Sequence, residues 1–223
     1  MLDQPFAIFQ PFPAIRTAFF MKEDPKRSDE ELALLLGGNG AAALHQMHDN
    51  RVIRVRGPVA RTEQADGLIT DVPGLVLLIR AADCQNFVIA APAQRVLGVL
   101  HVGWRGLEAG AIGEFFQFLK TEFGIGAEKT FVGGGPSLCK KCAEFSDPLR
   151  ELPKMHRECI NGNRVDLQRE ADLQFREAGV LDERRERMEG CTRCSPNRFW
   201  TYRGGDREAV KTGSTNVLAA MML

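Results

Sequence analysis

The sequence predicts an α+β fold in which layered, mixed β-sheets carry helices on their outer faces. Four short runs rich in aliphatic and β-branched residues, each bounded by Gly, Pro or Asp, are typical of buried strands. Amphipathic helical segments accompany them, but strands and helices do not alternate in the strict order of a Rossmann-type protein. No glycine-rich phosphate motif precedes a helix in the required context. The predicted strands cover residues 51–55, 75–79, 87–90 and 96–100.

Three helices are predicted from their end signals and from the spacing of their apolar residues. The first follows Ser28 and Glu31, which form a capping-box pattern. The second covers residues 112–123, where Ile, Phe and Leu recur at spacings of three and four. The third begins after Asp166 as its N-cap and ends at Gly179. Each pattern predicts a helix with one apolar face packed on a sheet.

Composition and charge favour a folded protein that acts on a small ligand. A chain of 223 residues, 44% hydrophobic and 26% charged, can build a full core and is not of the disordered or low-complexity type. Since 29 basic residues balance 29 acidic ones, no net field would attract nucleic acid or an anionic membrane. The chain shows no apolar run of about 18 residues and no signal-peptide pattern at its start, so we expect a cytoplasmic location. Without a repeat or an obvious linker, residues 1–223 are expected to form a single domain.

The four histidines and six cysteines contain one combination suited to a catalytic metal. Cys84 lies in the short connection between two predicted strands, and His101 lies where the next strand ends. If those strands are neighbours, both side chains open at the same sheet edge, and His48 could reach that edge from the preceding loop. Two imidazoles and a thiolate suit Zn²⁺, and three protein ligands leave a fourth position open. The alternative is that the thiol is a small buried hydrophobic group and the imidazoles are ordinary core or surface residues.

Six short motifs follow one another in an order that resembles a known family. They are the segments LHQMH at 44–48, EQADGLIT at 63–70, ADC at 82–84, HVGWRG at 101–106, GPSL through Glu at 135–144, and CT with FWTYR at 191–203. Together they resemble the laccase-domain or YfiH-like family, once described as multicopper polyphenol oxidases and now as purine nucleoside phosphorylases. The resemblance covers roughly residues 44 to 205, and its A-D-C and H-x-G-W-R-G elements are highly specific.

The resemblance implies a fold, a cofactor and an activity. Members of the family resemble bacterial cytotoxic necrotizing factors in fold, and their zinc ligands correspond to His48, Cys84 and His101. Their activities are the phosphorolysis of adenosine, inosine and methylthioadenosine with phosphate, together with the deamination of adenosine. The implied partners are therefore a purine nucleoside and phosphate, and the oligomeric state is left open. Copper belongs to the older description, but a multicopper oxidase needs many more histidines than this chain has.

Further residues are expected at the site because phosphate must be held while charge builds on the departing base. Arg105 and Arg61 are the candidate cations, and Gln46 of the first motif is a candidate substrate contact. The alternative for Arg105 is a surface arginine stacked near Trp104. Asp83 could orient a ligand, shuttle protons or simply cap a turn. Two other carboxylates that share the resemblance, Asp66 and Glu144, are expected to make structural hydrogen bonds.

Four other cysteines form two Cys-x-x-Cys pairs, which is the composition of a structural zinc site. The pairs are Cys139 with Cys142 and Cys191 with Cys194. Their separation is long and includes a predicted helix, so free, partly buried thiols are expected instead.

One departure from the family pattern and several alternative functions bear on the expected phosphorylase activity. The segment 212–214 lacks the arginine of the family's terminal T-G-R motif, so phosphorolysis is expected to be weak if that arginine holds phosphate or ribose. The rival function is a cysteine hydrolase in which Cys84 is the nucleophile and His101 its base. Copper-dependent phenol oxidation and nucleoside or partner binding without turnover are the remaining alternatives.

Overall fold

A computed structural model describes residues 1–223, and its framework consists of fourteen strands. The strands are β1 Leu2–Asp3, β2 Ile15–Phe20, β3 Gly40–His45, β4 Val52–Arg54, β5 Val59–Gln64, β6 Gly67–Thr70, β7 Leu75–Ala81, β8 Gln85–Ala91, β9 Val96–Val102, β10 Phe131–Gly134, β11 Ile160–Asn161, β12 Arg164–Val165, β13 Arg185–Arg187 and β14 Asn216–Met222. The α-helices are α1 Asp29–Leu36, α2 Trp104–Glu108, α3 Ala111–Phe123, α4 Pro148–Glu151, α5 Leu167–Glu177 and α6 Arg207–Lys211. None of the helices is long and apolar enough to cross a membrane.

Two six-stranded mixed sheets form the centre of the fold. Sheet A has the strand order β1-β2-β14-β7-β3-β5, and sheet B has the order β13-β10-β8-β9-β6-β4. In sheet A, β14 is antiparallel to both of its neighbours, whereas β3 is parallel to β5 and β7. The inner faces of the two sheets share one apolar core, in which Phe19 and Leu77 of sheet A belong to the same cluster as Val88 and Leu97 of sheet B. Burial of this shared apolar surface holds the two sheets face to face.

The helices cover the outer faces of both sheets. On sheet A, α1 packs Leu32 and Leu36 into a cluster with residues of β3, β7 and β14. On sheet B, α3 and α5 pack together, and the Phe175 ring meets the Phe87 ring of β8 at 4.8 Å in a T-shaped contact. The layers thus run helix, sheet, sheet, helix. This order confirms the predicted α+β fold of layered mixed sheets with helices outside.

The structure contains the three predicted helices, with ends within about two residues of the predicted ones. The Ser28 hydroxyl accepts from the Glu31 amide at 3.2 Å, and the Glu31 carboxylate accepts from the Ser28 amide at 2.7 Å, which completes the capping box of α1. Gly37 ends that helix in the left-handed conformation, with φ of +79°. Asp166 caps α5 by accepting from the Arg169 amide at 3.1 Å. The four predicted strands correspond to β4, β7, β8 and β9.

Two strands that are far apart in the sequence lie side by side in sheet A. Strand β2, near the start, and strand β14, near the end, are hydrogen-bonded neighbours in sheet A. Because both also contribute to the core shared with sheet B, we propose that the chain forms a single domain.

Candidate metal centre

Strands β8 and β9 bring Cys84 and His101 to one edge of sheet B. The two strands are antiparallel neighbours, and Gln85 pairs with Val102 while Asn86 pairs with His101. In an antiparallel pair the start of one strand meets the end of the other. Cys84 directly precedes β8, so its side chain lies beside that of His101. The expected adjacency of these two strands is confirmed.

His48 completes the group from the loop after β3. It adopts a left-handed backbone conformation, with φ of +64°, which aims its side chain at the edge of the other sheet. The rings of His48 and His101 are nearly perpendicular, with centroids 4.8 Å apart. The ligand atoms of His48, Cys84 and His101 all lie within 4.8 Å of one another. The three side chains predicted as metal ligands therefore converge, although their ligand role stays a prediction.

Asp66 holds two of these three residues in place, His48 through its backbone and His101 through its ring. Its fully buried carboxylate accepts the backbone N–H groups of Met47, His48 and Asp49 at 3.1, 3.0 and 2.8 Å. The same carboxylate contacts Nδ1 of His101 at 2.8 Å, so Nε2 is the nitrogen of that ring that can contact Cys84 or a metal. The expected structural hydrogen bonds of Asp66 are present. No pattern in the sequence indicated that this carboxylate also orients a candidate ligand, since that contact joins residues 35 positions apart.

The thiol of Cys84 and the imidazole of His101 each stabilise the charged form of the other. Burial opposes ionisation of the thiol, but the His101 imidazolium, with hydrogen bonds from His101 and His48, lowers the pKa of Cys84 to about 6. Burial likewise opposes protonation of the imidazole, but the Cys84 thiolate and the hydrogen bond to Asp66 raise the pKa of His101 to about 9. A thiolate held in this way is both a metal ligand and a potential nucleophile.

Gly103, in the H-x-G-W-R-G segment, is required by the close approach of two candidate ligands. A Cβ atom at this position would lie 2.9 Å from Sγ of Cys84 and 3.3 Å from Cδ2 of His48. Its backbone has φ of −82°, which any residue adopts, so the constraint comes from space and not from conformation.

We expect Gly103→Ala to weaken metal binding by about 10- to 100-fold, the cost typical of displacing the support of a metal ligand. The added methyl group would push Cys84 and His48 apart while the backbone stays unstrained. Competition against a chromophoric chelator would measure the change in affinity. Gly113→Ala in α3 is the matched control, because a Cβ there meets no atom within 4 Å. Equal metal affinities for the two variants would contradict the prediction.

The candidate ligands lie in a cleft of about 610 Å³ that four arginines also line, Arg61, Arg80, Arg105 and Arg203. Two of them share one carboxylate: Arg61 donates to Asp29 at 2.8 and 2.6 Å, and Arg80 donates to it at 2.6 Å. Burial opposes ionisation of Asp29, but the hydrogen bonds from Arg61 and Arg80 lower its pKa below the usual value. Two guanidinium groups against one carboxylate leave a net positive charge, which suits an anionic ligand. Arg80 was not singled out from the sequence, where nothing distinguishes it from other strand-end arginines.

Arg105 and Gln46, both predicted as substrate contacts, also line the cleft. Arg105 is exposed and lies over the Trp104 ring at 4.2 Å, so the stacked arrangement foreseen as its alternative is present together with access to the cleft. The Gln46 side chain pairs with the backbone of Arg80, donating at 2.8 Å and accepting at 2.9 Å. Its amide thereby extends sheet A and holds Arg80 in place. Whether either side chain contacts a substrate stays a prediction.

Asp83 is surrounded by hydrogen-bond donors from the C-terminal part of the chain. Its carboxylate accepts from the hydroxyls of Thr192 and Thr201 and from the backbone N–H of Arg203, each at 2.7 Å. Both oxygens are thus occupied, and the side chain is buried. This carboxylate therefore anchors the segment that forms one wall of the cleft next to Cys84, and a role in orienting a ligand or moving a proton stays a prediction.

The fold and the site together define a two-sheet protein with a His–Cys–His group in a cationic cleft. The family model described as multi-copper polyphenol oxidoreductase laccase matches residues 11–222. The chain belongs to this family, as its sequence motifs indicated.

Named relatives and solved structures agree with this assignment. A purine nucleoside phosphorylase of Deinococcus radiodurans is 30% identical over 205 residues, which are 86% of this chain and 76% of the relative. The purine nucleoside phosphorylase YlmD of Geobacillus stearothermophilus is 32% identical over 148 residues, which are 62% of this chain but only 54% of the relative, about half of its length. The crystal structure of that YlmD has a TM-score of 0.80 at 22% identity and covers 96% of this chain and 93% of its own. The adenosine deaminase RL5, from an unknown prokaryotic organism, is 27% identical over 70% of this chain and 62% of its own length.

Proposed function

We propose that this protein is a zinc-dependent purine nucleoside phosphorylase that acts on adenosine, inosine and methylthioadenosine and also deaminates adenosine. The convergence of His48, Cys84 and His101 in one cleft with the arginine pair Arg61 and Arg80 carries the proposal. The cleft would thus combine a donor set for a metal with a site for an anion. The names of the relatives supply the reaction class, since several are phosphorylases and one is an adenosine deaminase.

The donor set of the cleft fits zinc. Two imidazoles and one thiolate are borderline and soft ligands, and three of them leave one position open for substrate or solvent. Zinc bound there would supply a Lewis acid at the floor of the cleft. Copper, in the family's description, could occupy a single site of this kind. A multicopper cluster would need further imidazoles, but His156 is engaged by Glu170 and Glu177 elsewhere and only His45 lies nearby.

The residues of the chain have distinct tasks in phosphorolysis. A phosphate oxygen forms a bond to the anomeric carbon of ribose while the bond to the purine nitrogen breaks, and the base leaves with the electron pair and takes up a proton. Arg61 and Arg80 would hold phosphate, because their shared carboxylate Asp29 fixes them and neutralises only one of their two charges. Arg105 would add a third cation from α2. Asp66 keeps His101 in one orientation throughout.

We expect Arg80→Gln to raise the KM for phosphate by about 10- to 100-fold, the loss that follows from removing a hydrogen bond to a charged group. The KM for the nucleoside should change much less, since the cation that is removed faces the anion. Steady-state rates with varied phosphate and fixed inosine would show the difference. Arg157→Gln is the control, because Arg157 is exposed and does not line the cleft. An unchanged KM for phosphate in the Arg80 variant would remove this arginine from the phosphate site.

Product analysis tests the function directly. The purified protein, incubated with inosine and phosphate, should yield hypoxanthine and ribose 1-phosphate, and with adenosine alone it should yield inosine and ammonia. Chelation should abolish both reactions and zinc should restore them. Deamination without phosphorolysis is the result expected if the serine at position 214, in place of the family's terminal arginine, disables phosphate use. Absence of both reactions in zinc-loaded protein would refute the proposal.

The adjacency of Cys84 and His101 also favours a second candidate, a cysteine hydrolase. In that enzyme Cys84 would be a free nucleophile and His101 its base. A thiol reagent separates the two functions. A zinc-bound Cys84 would be protected from alkylation until a chelator is added, whereas a free nucleophile would react equally fast with and without the chelator.

A further inference from the structure

The two Cys-x-x-Cys pairs, which the sequence placed far apart, meet in the folded chain. The sulfur of Cys194 lies 3.4 Å from that of Cys142 and 3.9 Å from that of Cys139. All four sulfurs, including that of Cys191, lie within 4.8 Å of one another. The four thiols are free and partly buried, as expected, but they lie together although a long stretch of sequence separates the two pairs. A parallel bridge between Ser137 and Cys191 holds the two segments side by side.

We propose that Cys139, Cys142, Cys191 and Cys194 bind one structural zinc ion, separate from the metal of the cleft. Four thiolates at about 2.3 Å from a tetrahedral zinc have sulfurs about 3.8 Å apart. The observed separations of 3.4 and 3.9 Å lie on either side of that value. Since all four sulfurs lie within 4.8 Å of one another, little movement is needed to close them on an ion.

The arrangement fits four ligands around one centre better than two disulfides. A disulfide pairs each sulfur with a single partner at about 2.05 Å. Here Cys194 faces Cys142 and Cys139 alike, so no exclusive pairing is set up. Cys139 also donates its backbone N–H to the sulfur of Cys191 at 3.3 Å, a contact that stabilises a thiolate.

The surroundings of the four cysteines suit a negatively charged centre. Zinc with four thiolates carries a net charge of about −2, and cationic residues lie within both pairs: Lys140 and Lys141 in the first, Arg193 in the second. Arg193 also donates to the carbonyl of Cys142 at 3.3 Å and so crosses from one pair to the other. Cys142 and Cys191 are buried while Cys194 is exposed, which gives the ion an entry path from the surface.

The position of the four-cysteine site shows what the ion would stabilise. One pair follows Ser137 and Leu138, which line the cleft. The other pair begins the segment whose Thr192 and Thr201 hydroxyls bind Asp83, next to Cys84. Zinc would therefore fasten together two segments that form one wall of the cleft. The cleft's own candidate metal ligands come from other elements, the loop after β3, the turn before β8 and the end of β9, so the two ions would bind independently.

Metal analysis of variants tests the site. Protein purified without chelators and carrying Cys139→Ser with Cys194→Ser should contain a full equivalent of zinc less per chain than the wild type. Cys159→Ala is the matched control, because Cys159 is buried outside both metal-binding groups and its loss should leave the zinc content unchanged. Cys84→Ser should lose the cleft metal and keep the four-cysteine ion. An unchanged zinc content in the double variant would overturn the proposal.

The wild-type protein provides a second measurement in case the double variant does not fold. Native protein is alkylated, digested and mapped by mass spectrometry before and after zinc removal. All four cysteines should be protected together and become reactive together on removal. A mercurial titration should release this zinc as these four thiols are consumed. Two disulfides, iron in place of zinc, or fast alkylation of these thiols in zinc-replete native protein would overturn the proposal.

Discussion

Cys84→Ser is expected to reduce the affinity of the cleft for zinc by at least about 100-fold, the upper end of the effects seen when only the support of a ligand is lost. The substitution replaces the one soft, anionic donor of the set by a neutral hydroxyl, while the two imidazoles stay in place. Phosphorolysis and deamination should both fall to background, since the proposal places the metal at the floor of the cleft. Metal content and product formation are measured on the same preparation.

The same variant separates the proposed function from its rival. A cysteine hydrolase would also lose activity on removal of Cys84, but its metal content would not change because it has no cleft metal to lose. In the variant we therefore expect the loss of zinc to accompany the loss of turnover, and Cys159→Ala to retain both. Retention of the cleft zinc together with loss of turnover would favour the nucleophile over the ligand.

The sequence predicted individual elements of the fold better than their arrangement. Strands β7, β8 and β9 are continuous apolar runs, which is why they could be predicted, but they are buried on both faces and show no alternation that would assign them to a sheet. Strand β14 lies between β2 and β7 in the middle of sheet A, although some 196 residues separate the facing ends of β2 and β14. Strand pairing over that distance depends on how the whole core packs, and no local sequence pattern indicates it.

The residues of the candidate site could likewise be predicted only in part from the sequence. The candidate metal ligands could be named because cysteine and histidine at strand ends are few and because their motifs resemble a family. The pair Arg61 and Arg80 could not, since it depends on Asp29 of α1, which reaches both only after sheet A has formed. The composition of the four-cysteine group could be named, but its convergence could not be predicted, for a related reason. The long intervening sequence with its predicted helix favours separate thiols, but α5 packs on the outer face of sheet B and the segment at Cys191 returns to lie beside the segment at Ser137.

Asp66→Asn is expected to cost about 2–5 kcal/mol of stability, because it leaves a buried network without its central acceptor. The carboxylate of Asp66 accepts three backbone N–H groups and contacts Nδ1 of His101. An asparagine offers one acceptor oxygen and turns an NH₂ group toward donors that cannot rotate away. Urea denaturation of the metal-free protein would measure this loss of stability. Zinc affinity should fall as well, by about 10- to 100-fold, because both His48 and His101 lose their support.

Asp83→Asn is the control that separates the two effects of the Asp66 substitution. Asp83 is also a buried carboxylate with three donors, but two of these are the hydroxyls of Thr192 and Thr201, which can rotate to accept from an amide, and none belongs to an imidazole. The Asp83 variant should therefore lose less stability and keep most of its zinc affinity. If both variants lost zinc affinity in proportion to their stability, general loosening of the fold would explain the result. A loss of affinity confined to Asp66→Asn would instead trace it to the contact with His101 and to the amides around His48.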